Sequence, residues 1–133
     1  MHLKTYDGYT PLHLAARNGH VDVVRVLADF GADVHVKSNA RWTPLHLAAE
    51  NGHVDMVKML LTDFGADANT KTSSGWTPLH AAVKDGFLEV AKLLVMQFAA
   101  DVHAADNDGK TPLDLARISE NDEMRAWAES LAG

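Results

Sequence analysis

Apolar residues along the chain come in short helical-period bursts, and the same polar and turn-forming residues set each burst off. Val21-Asp-Val-Val-Arg-Val-Leu27 is one such burst, with a spacing that gathers its apolar side chains on one side of a helix. Ahead of it stands Thr10-Pro-Leu-His-Leu-Ala-Ala16, in which threonine reads as an N-cap and proline as the first helical residue, where its missing N–H costs nothing. Gly19 follows and supplies the left-handed conformation that ends a helix. The pattern predicts two short helices joined by a glycine turn.

That unit then returns. Thr-Pro-Leu recurs at Thr10, Thr43, Thr77 and Thr111, at intervals of 33, 34 and 34 residues. The turn glycine recurs as Gly52 and Gly86, and the tail as Phe30-Gly-Ala-Asp33, Phe64-Gly-Ala-Asp67 and Phe98-Ala-Ala-Asp101. Self-similarity at this period is the signature of stacked repeats. Isolated helices of about ten residues are marginal in water, so stability has to come from stacking. The small pairs Ala15-Ala16, Ala48-Ala49 and Ala81-Ala82 let neighbouring helices approach closely. The fold expected is an all-α solenoid.

The Thr-Pro-Leu-His start, the Gly-His turn at Gly19-His20 and Gly52-His53, and the Gly-Ala-Asp end resemble the ankyrin repeat, over about residues 5–133. The resemblance implies an L-shaped unit of two antiparallel helices with a β-hairpin-like loop, stacked into a curved array that binds proteins along its concave side. It implies a single domain over 1–133, with repeats at about 5–37, 38–71 and 72–105 and a capping repeat at 106–133.

Departures from that pattern carry their own expectations. The Asp-x-x-Gly hairpin is whole only at Asp106-Asn-Asp-Gly109, with Thr5, Ser38 and Thr72 replacing the aspartate elsewhere. Arg41 stands where the hairpin glycine belongs, so backbone strain or a different turn is expected there. The second and third units hold one extra residue before the tail, as Leu60-Leu-Thr-Asp-Phe64 against Leu27-Ala-Asp-Phe30, which predicts a bulged or lengthened second helix in each. Asp114 replaces the motif histidine in the last unit, and Glu120, Asn121, Asp122 and Glu123 make its helices polar, as suits a cap. The first unit opens in its hairpin with no helix pair ahead of it. That start, with the aromatic residues concentrated at groove positions, favours a trimmed or engineered array.

Composition narrows the function. A net charge of −6 opposes the basic footprint that phosphate binding needs, which argues against nucleic acid. No apolar run approaches the roughly 18 residues of a bilayer span, so no membrane partner is expected. The absence of cysteine removes disulfides and thiolate sites and fits a reducing, cytoplasmic-type compartment for a natural chain. A free chain is expected to be monomeric.

The resemblance places Tyr9, Trp42, Trp76 and Lys110, each just before a Thr-Pro, on hairpin tips facing the groove, with Tyr6 nearby. At the usual helix-packing spacing the three aromatics would form a ladder of about 20 Å, and aromatic side chains are the usual energetic centres of protein interfaces. The alternative is that these rings pack on their own hairpins. The ends of the first helices add Arg17, Asn18, Glu50, Asn51, Lys84 and Asp85, and the hairpins add Ala40, Arg41 and Ser74. With neighbouring Lys4, Lys37, Lys71, Asp7 and Asp108, cations outnumber acids on this face. A net-positive groove on an acidic protein would steer a protein partner with an acidic rim. An ordinary mixed surface is the competing reading.

His13, His46 and His80 share one motif position. Equivalent side chains on stacked repeats lie about one packing distance apart, too far to share an ion with ligand nitrogens at about 2 Å, so neither metal nor cofactor is expected. By resemblance this histidine hydrogen-bonds around the Thr-Pro turn. No nucleophile motif, phosphate loop or His-Glu-x-x-His string is present, so the chain reads as a non-catalytic interaction scaffold. The alternative is a structural segment of a larger array with no groove ligand of its own.

Overall fold

The structure, a computed structural model, describes residues 7–132. Four antiparallel helix pairs follow one another: α1 (Pro11–Arg17) with α2 (Val21–Asp29), α3 (Pro44–Glu50) with α4 (Val54–Thr62), α5 (Pro78–Lys84) with α6 (Leu88–Phe98), and α7 (Pro112–Arg117) with α8 (Asp122–Ala132). The first helices α1, α3, α5 and α7 pack in sequence as one layer, and α2, α4 and α6 form the layer behind them. Among the described residues there is no strand. The result is the all-α repeat solenoid that the 33 to 34 residue period predicts.

Each first helix starts the same way because each carries the same cap. Thr10, Thr43, Thr77 and Thr111 are extended at φ near −100° and accept a hydrogen bond from the amide three residues on, while the side chain at that third position accepts from the threonine amide. This is a capping box in which histidine, or finally Asp114, takes the place of the usual glutamate. Leu12, Leu45, Leu79 and Leu113 point into the core at one register, and Ala16, Ala48, Ala49, Ala81 and Ala82 are wholly buried, as close stacking of the front layer requires. Positive φ at Gly19, Gly52 and Gly86 turns the chain into the second helix.

The hairpins project beyond the first helices and are joined tip to tip. The amide of Asn39 donates to the Asp7 carbonyl, that of Ser73 to Ala40, and that of Asn107 to Ser74, at 2.9–3.0 Å. Arg41 takes the left-handed conformation expected of a glycine, at φ 64. A Cβ at the equivalent Gly8 or Gly75 would lie 2.5 or 2.9 Å from Asn39 or Asn107; opposite Arg41 the corresponding residue is the smaller Ser73. The substitution at 41 is thus matched by one in the next repeat, and the residual backbone strain stays.

The extra residue of the second and third repeats lengthens only one helix. α6 has 11 residues, but α4 has 9, the same as α2. In the first repeat the Ala32 amide closes on the Leu27 carbonyl, five residues back; in the next two, Ala66 closes on Leu60 and Ala100 on Leu94, six back. A wider C-terminal turn absorbs the residue, so of the bulged or lengthened second helix expected in each repeat the lengthening is seen only in the third. In the third this turn forces Ala99 to φ 55, a conformation that costs a residue with a Cβ about 1–2 kcal/mol. Glycine gives back part of that gain through its looser unfolded state. Ala99→Gly is expected to stabilise the protein by about 0.5–1 kcal/mol, read from the urea midpoint, and a loss of stability would contradict this account of the turn.

Candidate partner-binding face

Hairpin tips and first-helix ends form one continuous face, and its geometry begins with the buried histidines. Nδ1 of His13, His46 and His80 accepts the amide of the preceding threonine at 3.0–3.3 Å. That contact leaves the proton on Nε2, which donates across to the next repeat, from His13 to the Trp42 carbonyl, His46 to Trp76 and His80 to Lys110, at 2.8–3.0 Å. Each histidine therefore caps its own helix and stitches the following hairpin to it. Asp114 occupies the last such position and closes only the local cap, accepting the Thr111 amide. All three histidines are fully buried. Burial pushes His46 down to about 4, outweighing the hydrogen bonds that favour its charged form, and lowers His80 likewise.

On this frame the aromatic residues are half-buried. Tyr9 meets His13 edge-on with centroids 5.3 Å apart. Trp42 tilts against His46 at 5.4 Å, and Trp76 stacks on His80 at 5.7 Å. One side of each ring is fixed against the scaffold while part of it stays open, which is intermediate between free exposure and burial in the hairpin. Trp76 is held further: its indole N–H donates to Asp106 at 3.0 Å, and the Lys84 ammonium lies 5.3 Å from its ring centroid, within cation–π range. The Trp42 indole N–H has no hydrogen bond among the described residues, because the residue corresponding to Asp106 in the next repeat is Thr72.

The remaining candidates separate by what their side chains already do. Asn18 and Asn51 turn back to the Leu14 and Leu47 carbonyls at 2.9 and 2.8 Å, closing helix ends. Arg17, Lys84 and Asp85 are exposed, as are Ala40, Arg41, Ser74 and Lys110 on the hairpins. Glu50, half-buried between the helix ends, has its carboxyl pKa raised by burial and then by the Asp85 carboxylate, with Arg17 and Lys84 opposing. Charged groups of the repeats on either side thus act on one carboxyl. Tyr6 and Lys4 lie outside the described residues.

Asp106, marked in the sequence only as the start of the complete Asp-x-x-Gly hairpin, proves to belong to this face through its bond to Trp76. Its carboxylate accepts the Asp108 and Lys110 amides and the Trp76 indole; burial opposes ionisation, but these hydrogen bonds hold its carboxyl below the usual range. Ser38 and Thr72 do the hairpin part of this work with hydroxyls that accept the Trp42 and Trp76 amides at 3.1 Å, which accounts for the missing aspartates. The signal was available in the register: Asp106 stands four residues before Lys110, as Ser38 and Thr72 stand four before the tryptophans.

A family model described as ankyrin repeats, three copies, matches residues 1–72 and again 64–127. Over short stretches the chain is similar to curated proteins. It is 72% identical over 29 residues to ankyrin repeat domain-containing protein 49 of Bos taurus, covering 22% of this chain and 12% of that protein. It is 51% identical over 35 residues to serine/threonine-protein kinase VIK of Arabidopsis thaliana, covering 26% and 8%. To the NF-kappa-B inhibitor cactus of Drosophila melanogaster it is 43% identical over 35 residues, covering 26% and 7%. The matched stretches span about a tenth of these relatives or less, the length of one repeat.

Proposed function

The chain belongs to the ankyrin-repeat family, whose members are generally non-catalytic protein–protein interaction modules, and from that premise we propose that it is a scaffold holding a protein partner along its hairpin tips and first-helix ends. The observation that carries this reading is the row Tyr9, Trp42 and Trp76, each ring braced against a buried histidine and still partly open. Rings already fixed in place lose little freedom on binding, so more of their contact energy appears as affinity. Arg17, Arg41, Lys84 and Lys110 around them favour a partner with an acidic rim. Catalysis is not part of this reading, since the repeated histidines and threonines are occupied in scaffold bonds. A second reading, a structural segment with no groove ligand, is favoured by Trp76, Asn18 and Asn51, whose polar groups serve the array itself.

The two readings part at Trp42, whose indole N–H is not tied down. Against a protein captured by the wild-type chain and purified, Trp42→Ala is expected to weaken binding by about 2 kcal/mol, roughly 30-fold, with the circular dichroism spectrum unchanged. Trp76→Ala should lower both affinity and stability, because it also breaks the tie to Asp106. Lys110→Ala, at the edge, should act mainly on the association rate at low salt. Full affinity in Trp42→Ala and Trp76→Ala alike would favour the structural reading or another face.

A further inference from the structure

Successive repeats meet at their inter-helix turns, and the residue ten positions after each capping threonine decides how that junction is filled. His53 lies so close to Gly19 of the preceding repeat that an added Cβ would sit 2.8 Å from its Nδ1, and a Cβ at Gly52 would sit 2.5 Å from the Phe87 ring. The His53 ring is also anchored, with Nε2 2.8 Å from the Arg17 carbonyl. At the third junction the residue is Asn121. It stays 3.8 Å from a Cβ added at Gly86 and reaches the Gly86 carbonyl only at 3.5 Å. A short amide thus stands where the two earlier junctions hold a ring.

The space this leaves is visible in the side chains around it. A cleft of about 540 Å³ opens between the two turns, with Lys84, Asp85, Leu115, Ile118 and Glu120 in its lining, a size within the roughly 300–1,000 Å³ of clefts that hold ligands. Leu115 is half-buried, whereas Leu47 and Ala81 in the same register are 6 and 0% exposed. Ile118, 75% exposed, takes the register of Arg17, Glu50 and Lys84. The row of first-helix ends therefore turns from charged to apolar at this cleft. Lys84 joins the cleft to the aromatic row, since it lines the one and stands over the Trp76 ring of the other.

We propose that this cleft receives an aromatic side chain of the protein partner, lying over Gly86 and against Ile118 as the chain's own Phe87 lies over Gly52. The proposal rests on the reading of this face as the partner-binding one, and it adds the chemistry of one anchor. A ring suits the site because rings fill the two corresponding places within the array, and because an aromatic side chain brings a large contact area for the loss of two torsions. A ring that carries an N–H or O–H gains a further contact: the Lys84 carbonyl stands in the register of the Arg17 carbonyl that His53 uses.

The test selects random peptides displayed on phage against the immobilised full chain and measures the recovered peptides on variants. They should share an aromatic residue whose replacement by alanine weakens binding about 10-fold or more. Ile118→Lys, which introduces the residue that Lys84 holds in the same register, should leave the urea midpoint unchanged and cause a loss of similar size, and the two losses should not add. Asn121→Phe, which supplies from within the ring found at the second junction, should block the same peptides. Because Asn121 also caps α8 through the Glu123 and Met124 amides, the midpoint of that variant is measured alongside. Recovery of no peptide, peptides without a common aromatic residue, or full binding to Ile118→Lys would overturn the proposal. If Ile118→Lys keeps full binding while Trp42→Ala loses it, the partner-binding face stands without this anchor. If Trp42→Ala and Trp76→Ala keep binding while Ile118→Lys loses it, the anchor stands and the aromatic row falls. Sedimentation of the chain should show a monomer, and a dimer abolished by Ile118→Lys would give the cleft to a second copy and overturn the proposal.

Discussion

Leu60→Ala is expected to destabilise the protein by about 2–5 kcal/mol, as for other large-to-small changes in close-packed cores. Leu60 is 1% exposed, in the buried cluster that runs through all four helix pairs, and its helix α4 touches α2, α3 and α6. Removing its isobutyl group leaves a void in that cluster, and short helices that depend on stacking have little propensity of their own to fall back on. Val26→Ala, on the open face of the first pair, should stay within about 0.5 kcal/mol, as exposed positions do. Urea unfolding of the two variants beside wild type checks both, and a loss below about 1 kcal/mol for Leu60→Ala would mean that the layer behind the first helices is not the core.

A second large effect is expected from pH. His46 is neutral in the folded chain because burial lowers its pKa to about 4, while in the unfolded chain it titrates near its ordinary value of 6.5. A group with a depressed folded pKa binds its proton first in the unfolded state, so the stability it contributes is complete above about pH 6.5 and is lost as pH falls toward 4. The slope is about 1.4 kcal/mol per pH unit, for a loss of about 3 kcal/mol from His46. His80 is shifted in the same direction by its burial and adds to the loss. The structural cause is explicit: a second ring proton would face the Thr43 amide that now donates to Nδ1 at 3.3 Å. Urea midpoints at pH 7.5 and 4.5 should differ accordingly, with His46→Gln flattening the profile. A midpoint independent of pH across this window would contradict the assignment of neutral, stitching histidines.

Helix starts, turns and the repeat itself were legible because they are local. Thr, Pro and Gly each act within a few residues, and the period repeats the message four times. The role of the motif histidine was only half legible: its bond to the preceding threonine spans three residues, but its bond to the next hairpin spans 29 or 30, a pairing that needs the stack to be formed. The extra residue in the second and third repeats could be counted but not placed, since a longer helix and a wider turn accommodate it equally well. Similarly, the position before Thr-Pro marked Trp42 and Trp76 as equivalent, whereas Asp106 in the next repeat ties one of them and Thr72 leaves the other. Equivalence by register ends where the neighbouring repeat differs.

In the proposed function a protein partner covers the hairpin tips and first-helix ends. Amide hydrogen exchange of the chain, alone and saturated with a purified captured partner, tests it most directly. Slowed exchange is expected around residues 40–42 and 74–76 and at the ends of α3 and α5, near Asn51 and Asp85, with α2, α4 and α6 unchanged. Protection confined to α2, α4 and α6, with the hairpins exchanging as in the free chain, would contradict it.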